Sequence, residues 1–215
     1  MQKIKIIDMF SEVYPQKLKE LYNPPSVLYV LGDENILNEK SIAMVGCREC
    51  TDYGRNIAKQ LSYQLAKNNI NIVSGMARGI DTYSHMGCLN AKGKTIAVVG
   101  CGLDMVYPPE NKQLFNNIIL SGGAIISEYP IGAKPNKMHF PARNRIISGL
   151  SDGLIVVEAK SKSGTLITVD FALEQGKDVY VIPGNITSPS SFGTNDLIKQ
   201  GAKIITTIED ILEDL

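Results

Sequence analysis

SIAMVGCRECTDYGRNIAKQLSYQLAKNNINIVSG (residues 41–75) is the stretch that decides the fold. SIAMVG (41–46) and INIVSG (70–75) are short, β-branched and apolar almost throughout, the pattern of parallel strands covered on both faces by helices. Between them, RNIAKQLSYQLAKNN repeats Ile57, Leu61 and Leu65 every four residues, with Ala58 joining the stripe. That spacing predicts an amphipathic helix. The unit is therefore strand, helix, strand, and each changeover carries a glycine or asparagine.

The same unit recurs towards the C-terminus. TIAVVG (95–100), AIISE (124–128), GLIVVEA (153–159), DVYVIPG (178–184) and KIITT (203–207) read as further strands separated by helical patterns. Alternation of this kind predicts an α/β fold, a doubly wound and mostly parallel Rossmann-like sheet. Such sheets bind ligands at the carboxyl ends of their strands, beside the switch in strand order. Residues 1–40 look different, with the Pro24–Pro25 pair and a single strand VLYVLG. They read as a small N-terminal extension packed on the main domain of residues 41–215, with a linker near Asp33 to Lys40.

Composition narrows the function. With 215 residues and 44% hydrophobic residues the chain can bury one substantial core. Lys+Arg and Asp+Glu are both 22, so no global field draws polyanions, and any nucleic-acid site must be a local cluster. Four scattered cysteines do not make a disulfide framework, and no apolar run has the length of a signal peptide or membrane span. A soluble cytoplasmic protein in a reducing compartment is expected.

Two nucleotide signatures fail by one residue. VGCGLDMVYP opens like G-x-G-x-x-G at Gly100 and Gly102 but has Met105 in the third position. GCLNAKGKT puts five residues, not four, between Gly87 and Gly93, and Lys94 and Thr95 enter a strand instead of a helix. What remains is a set of strand-end turns: Gly46 and Arg48, then Ser74, Gly75, Arg78 and Gly79, then Ser163, Gly164 and Thr165. In a parallel sheet these turns converge on one rim, where helix N-termini offer free N–H groups to phosphate.

A second cluster is IGAKPNKMHFPARNRIISG. No acidic residue occurs from Tyr129 to Ser151, whereas Lys134, Lys137, Arg143 and Arg145 supply cations and Phe140 offers a face on which a base can stack. The competing reading is a solvated loop in which Arg143 and Arg145 pair with carboxylates such as Glu128 or Glu158. Cys47 and Cys50 have C-x-x-C spacing but no second pair, so no metal or redox cofactor is expected. His85 and His139 are too few to suggest a nucleophile triad.

The ordered series VGCRECTDYG, SGMARGIDTYSH, TIAVVGCGLDMVYPPEN, SEYPIG, FPARNRIISGLSDGLIVVEA, SGTLITVDFALEQGKDVYVIPG and GTNDLIKQGA closely resembles the DNA-processing protein A (DprA) family, also called Smf, from about Pro24 to the C-terminus. The resemblance implies a Rossmann-like domain that binds single-stranded DNA, usually as a homodimer, and helps load the RecA recombinase during natural transformation. Carried onto this chain, the pocket positions are Arg48, Ser74, Gly75, Arg78, Gly79, Lys134, Lys137, Phe140, Arg143, Asn144, Arg145, Ser163, Gly164 and Thr165. The family's DNA-contacting lysine falls on Lys134 or Lys137. Longer members often add an N-terminal helical module, here at best a remnant, and a C-terminal winged-helix-like module that this sequence is expected to lack.

A more distant resemblance, to lysine-decarboxylase-like nucleotide phosphoribohydrolases, supplies the competing enzyme hypothesis. It would assign a catalytic role to Arg143 and use Gly164 and Thr165, but the motif's glutamate is replaced by Thr168. Without that carboxylate no base is in place, and a binding protein with no catalytic residues is expected. A small-nucleotide sensor is the third class.

Overall fold

The computed structural model describes residues 3–215. Nine strands among these residues form one sheet: β1 (Lys5–Asp8), β2 (Val27–Gly32), β3 (Ser41–Val45), β4 (Asn71–Ser74), β5 (Thr95–Val98), β6 (Ala124–Ser127), β7 (Gly153–Val156), β8 (Asp178–Val181) and β9 (Lys203–Ile204). Their order is β1-β2-β6-β5-β4-β3-β7-β8-β9, with β1 and β2 antiparallel to their neighbours and every other pairing parallel. The chain runs outwards from β3 to β6 and returns to β7 on the other side of β3. The switch in strand order therefore lies between β3 and β7, with Ala43 paired to Val73 on one side and to Leu154 on the other.

Alternation along the strands divides the core. Ala43 and Val45 face the layer containing α5 (His139–Gly149), α6 (Gly164–Glu174) and α7 (Phe192–Lys199). Ile42 and Met44 face α2 (Asp52–Lys67), α3 (Ile80–Asn90) and α8 (Glu209–Leu212). On this second face α4 (Lys112–Leu120) covers β5 and β6 through Leu114, Phe115 and Ile118. Ile57, Leu61 and Leu65 fall on the apolar face of α2, as the four-residue spacing requires.

The N-terminal region is built into this architecture. β2 pairs with β6 through Tyr29 and Ser127, so residues 5–32 extend the same sheet. The stretch read as a linker is a 3-10 turn, Glu34–Asn38, with Ile36 and Leu37 fully buried in the core. Tyr14 donates to Pro25 O (2.6 Å), and Lys17 on the short helix α1 (Gln16–Lys19) pairs with Asp152 (2.7 Å). KIITT yields only the two-residue edge strand β9.

One buried group sets an acid limit on stability. The Thr95 hydroxyl donates its single hydrogen to Ile72 O (2.7 Å), so it accepts from His85 Nδ1 (2.7 Å), leaving His85 Nε2 buried and without a partner. Burial, with the Arg143 charge adding to it, pushes the imidazole down to about 3. A His whose folded value is depressed stabilises the fold above its unfolded value near 6.5, and that stability is lost as pH falls towards the folded value. The loss approaches about 1.4 kcal/mol per pH unit. Urea midpoints measured from pH 7 to pH 3.5 are expected to fall less steeply for His85→Gln than for the wild type; parallel profiles would refute the assignment.

Candidate nucleic-acid interface

The loops that follow β3 and β4 are joined through their backbones. Cys47 N donates to Glu158 O (2.9 Å) and Ile80 N to Cys47 O (3.1 Å). Gly79 has φ +73°, and a Cβ there would lie 2.2 Å from Cys47 O and 2.5 Å from Arg48 O. Glycine is needed for both the dihedral and the approach. Gly46 is similarly tight, since a Cβ would meet Ile80 Cγ1 at 2.6 Å.

On this floor stands an aromatic and cationic group drawn from three further segments. The Phe140 ring, in the first turn of α5, stacks on Tyr107 at 5.5 Å and 28°. The Arg48 guanidinium lies 5.8 Å from the Phe140 centroid. A Cβ on Gly100, after β5, would come within 3.1 Å of the Phe140 ring. His139 Nδ1 donates to Gly100 O (3.1 Å), and the ring stacks on Tyr129 at 3.8 Å and 14°. Arg48, Lys134 and Lys137 are exposed, and none of them makes a salt bridge to a described residue.

Arg143 has another task. It is buried beneath the rim, and its Nη1 donates to Gly75 O (2.7 Å) and to Val98 O. Burial pulls the guanidinium down to about 10, against the opposing influence of buried Asp81. Burial raises the Asp81 carboxyl, with the Arg143 charge working against that rise, and Asp81 accepts from Ala77 N (3.2 Å). Gly75 separates the two: a Cβ there would sit 2.6 Å from Asp81 Oδ2 and 2.8 Å from both terminal Arg143 nitrogens. Arg143, expected to help close a DNA channel, lies buried here with its Nη1 on two carbonyls.

Arg145 is engaged differently. It grips Glu128 with two 2.7 Å bonds and donates to Asn23 O (3.0 Å), tying α5 to the N-terminal region. Of the two pairings considered for it, Glu128 is the one that forms. The fully buried Ser74 hydroxyl donates to Met44 O (2.7 Å). Asn144 is half-buried on α5.

Two expected contributors are occupied from within. Arg78 is exposed but paired with Glu110, which raises the guanidinium and lowers the carboxyl, so an incoming phosphate must compete with a carboxylate. At the switch point, Glu158 accepts from Thr51 N (2.9 Å) and takes the positive end of α2 that an anion would otherwise use. Among the described residues no hydrogen bond, salt bridge or ring contact joins the Ser163–Thr165 turn to Arg48 or Phe140. The Ser163 hydroxyl caps α6 by accepting from Thr165 N (3.0 Å), Thr165 is buried, and Gly164 alone lies open. Lys160, paired with Glu49 at 3.6 Å, links the two regions.

Tyr107 and Glu110 are the rim residues that the sequence did not single out. The run YPPEN carries both, yet neither stacking on Phe140 nor pairing with Arg78 has a periodic signature. Burial raises the Cys47 and Cys50 thiols, the opposite of activation.

A family model described as DNA recombination-mediator protein A matches residues 5–215. The chain belongs to that family. It is similar to DNA processing protein DprA of Bacillus subtilis (strain 168), with 46% identity over 215 residues, all of this chain and 72% of the relative. The X-ray structure of DprA from Streptococcus pneumoniae superposes with a TM-score of 0.93 at 44% identity, covering 99% of this chain and 74% of that one. DNA processing protein A from Helicobacter pylori, described for its single-stranded DNA binding mode, gives 0.88 at 32% identity and covers 99% and 97%.

Proposed function

We propose that this chain binds single-stranded DNA along the rim formed by Arg48, Gly79, Phe140 and the Lys134–Lys137 loop. The observation that carries the reading is a half-buried aromatic ring beside the exposed Arg48, on the segment where Lys134 and Lys137 also lack salt bridges to described residues. The cations take phosphates, the glycine-bearing loops let the backbone approach, and a base stacks near Phe140. Contacts of this kind go to the sugar-phosphate chain, so sequence preference is weak and salt dependence steep. Family membership extends the proposal to a cytoplasmic homodimer that helps load RecA on incoming DNA, with exposed Ile204 on edge strand β9 as one element available for pairing. Among the described residues no helix is long and apolar enough to cross a membrane.

Binding rather than catalysis is proposed. The arginine that a phosphoribohydrolase would use is Arg143, buried on two carbonyls, and Thr168, in place of the glutamate, is itself buried.

Fluorescence anisotropy with oligo-dT and with duplex of equal length tests the proposal. Tighter binding of the single strand is expected. Arg48→Ala and Lys137→Ala should each weaken it and flatten the plot of log affinity against log salt by about 0.7, the contribution of one phosphate contact on a single strand. Equal affinity for both forms, or an Arg48→Ala chain that binds like the wild type, would reject it.

A further inference from the structure

The rim lies beside a second surface that the rim reading does not use. From Tyr53 to Leu103 the only acidic residue is Asp81, which is buried, whereas Arg55, Lys59, Lys67, Arg78, Lys92 and Lys94 are all cationic. In a chain with equal numbers of acids and bases this is a marked local asymmetry. Three of those cations and an aromatic share one line: Arg55, Lys59, Tyr63 and Lys67 occur every four residues along α2. Residues at that spacing stack on one helix face, about 6 Å apart along the axis.

The side chains form an ordered cation-aromatic series. Arg55 Cζ and Lys59 Nζ both lie 5.1 Å from the ring centre of Tyr83 on α3, and Lys67 Nζ lies 5.7 Å from that of Tyr63. Tyr63 is exposed, and Met86 presents an exposed apolar side chain on α3. Only Arg55 in this line has an acidic partner, Asp52 at 2.9 Å, and neither Lys59 nor Lys67 makes a salt bridge to a described residue. The platform is firm, because at Gly87 the helices approach so closely that a Cβ would lie 2.1 Å from Ser62 Oγ and 2.3 Å from Lys59 O. α2 starts four residues after Arg48, with the exposed carboxylates of Glu49 and Asp52, paired to Lys160 and Arg55, between Arg48 and the start of the line.

We propose that the outer face of α2 and α3, through Arg55, Lys59, Tyr63, Lys67 and Tyr83, is a second track for the same DNA single strand, guiding it away from the rim. The inference rests on the rim reading and adds a contact surface to it. The cations follow the phosphates of an extended strand, and Tyr63 offers a stacking face to a base. The partner is a single strand rather than a duplex, since the line is a single row of charges interleaved with aromatic faces.

The test compares two oligo-dT lengths by anisotropy, one of about six nucleotides and one of about twenty. For the chain with Lys59→Ala and Lys67→Ala together, the affinity for the longer strand should fall roughly ten- to thirty-fold at about 0.1 M salt, with a salt slope shallower by about 1.4. The short strand should bind the same chain as it binds the wild type, which also shows that the variant is folded. Long-strand binding unchanged by the double substitution, or both lengths weakened equally, would overturn the track while leaving the rim intact. So would poly-glutamate displacing the long strand as well as unlabelled oligo-dT does, which would mark a surface for acidic protein segments. Arg48→Ala should weaken both lengths, and a wild-type chain that binds neither would sink the rim reading as well.

Discussion

Replacing Arg143 with methionine is expected to destabilise the chain by roughly 2–6 kcal/mol, since two buried carbonyls lose their donor at about 1–3 kcal/mol each. The substitution leaves Gly75 O and Val98 O without their donor and removes the positive charge that opposes the desolvation of Asp81. Because domains of this size are typically stable by only about 5–15 kcal/mol, the loss approaches unfolding. Arg143→Lys should rescue part of the loss, since an ammonium, like the single Nη1, carries enough donors for both carbonyls. Adding Asp81→Asn to Arg143→Met should recover part of the loss by removing the stranded charge.

The pH dependence carries a definite sign. Burial raises the Asp81 carboxyl even in the wild type, and without Arg143 it rises further. A group whose folded value is raised contributes its stability at low pH and loses it as pH climbs through that folded value. The gap between Arg143→Met and wild type should therefore be widest near neutrality and narrow towards the carboxylate range, where Asp81 is neutral in both chains. Urea denaturation at several pH values reads both effects. A variant as stable as the wild type at pH 7 would show that the guanidinium does not hold the strand ends together.

Gly79→Ala is expected to have the second largest effect, and here function suffers along with stability. At φ +73° and ψ −129° the residue occupies a region open essentially to glycine alone, and forcing alanine into it costs about 1–3 kcal/mol. The added methyl would also stand 2.2 Å from Cys47 O and 2.5 Å from Arg48 O, so the loop carrying Arg48 has to move. Displacing it separates the guanidinium from Phe140, and oligo-dT affinity should fall more than Arg48→Ala alone would cause. Gly164→Ala is the matched control, because its Cβ would meet nothing within 4 Å and its stability should be unchanged. If Gly79→Ala melts like the wild type and binds oligo-dT equally well, the close packing of the two loops has no bearing on binding.

Much of the fold was legible because it depends on short-range pattern. Apolar runs bounded by glycine and the four-residue repeat of Ile57, Leu61 and Leu65 report directly on strands and helices, whose geometry is local. The segment 33–40 misleads for a related reason. Its polar residues Asp33, Glu34, Asn35 and Asn38 resemble a linker, while Ile36 and Leu37 between them are covered by the core only when β2 pairs with β6.

At the site the division is sharper. Residue types and order alone pointed to glycine-bearing turns at the carboxyl ends of a parallel sheet, because strand direction and chain alternation place them there; the turns after β3 and β4 are joined by their backbones, whereas the Ser163–Thr165 turn stands apart. Only the tertiary structure decided which charges remain accessible. Arg143 and Arg145 stand two positions apart on α5, so their side chains leave the helix about 200° apart; one is buried under the rim and the other locks onto Glu128. Arg78 meets Glu110 from 32 residues away. Which cation finds a carboxylate is a matter of approach through space, and local periodicity carries no record of it.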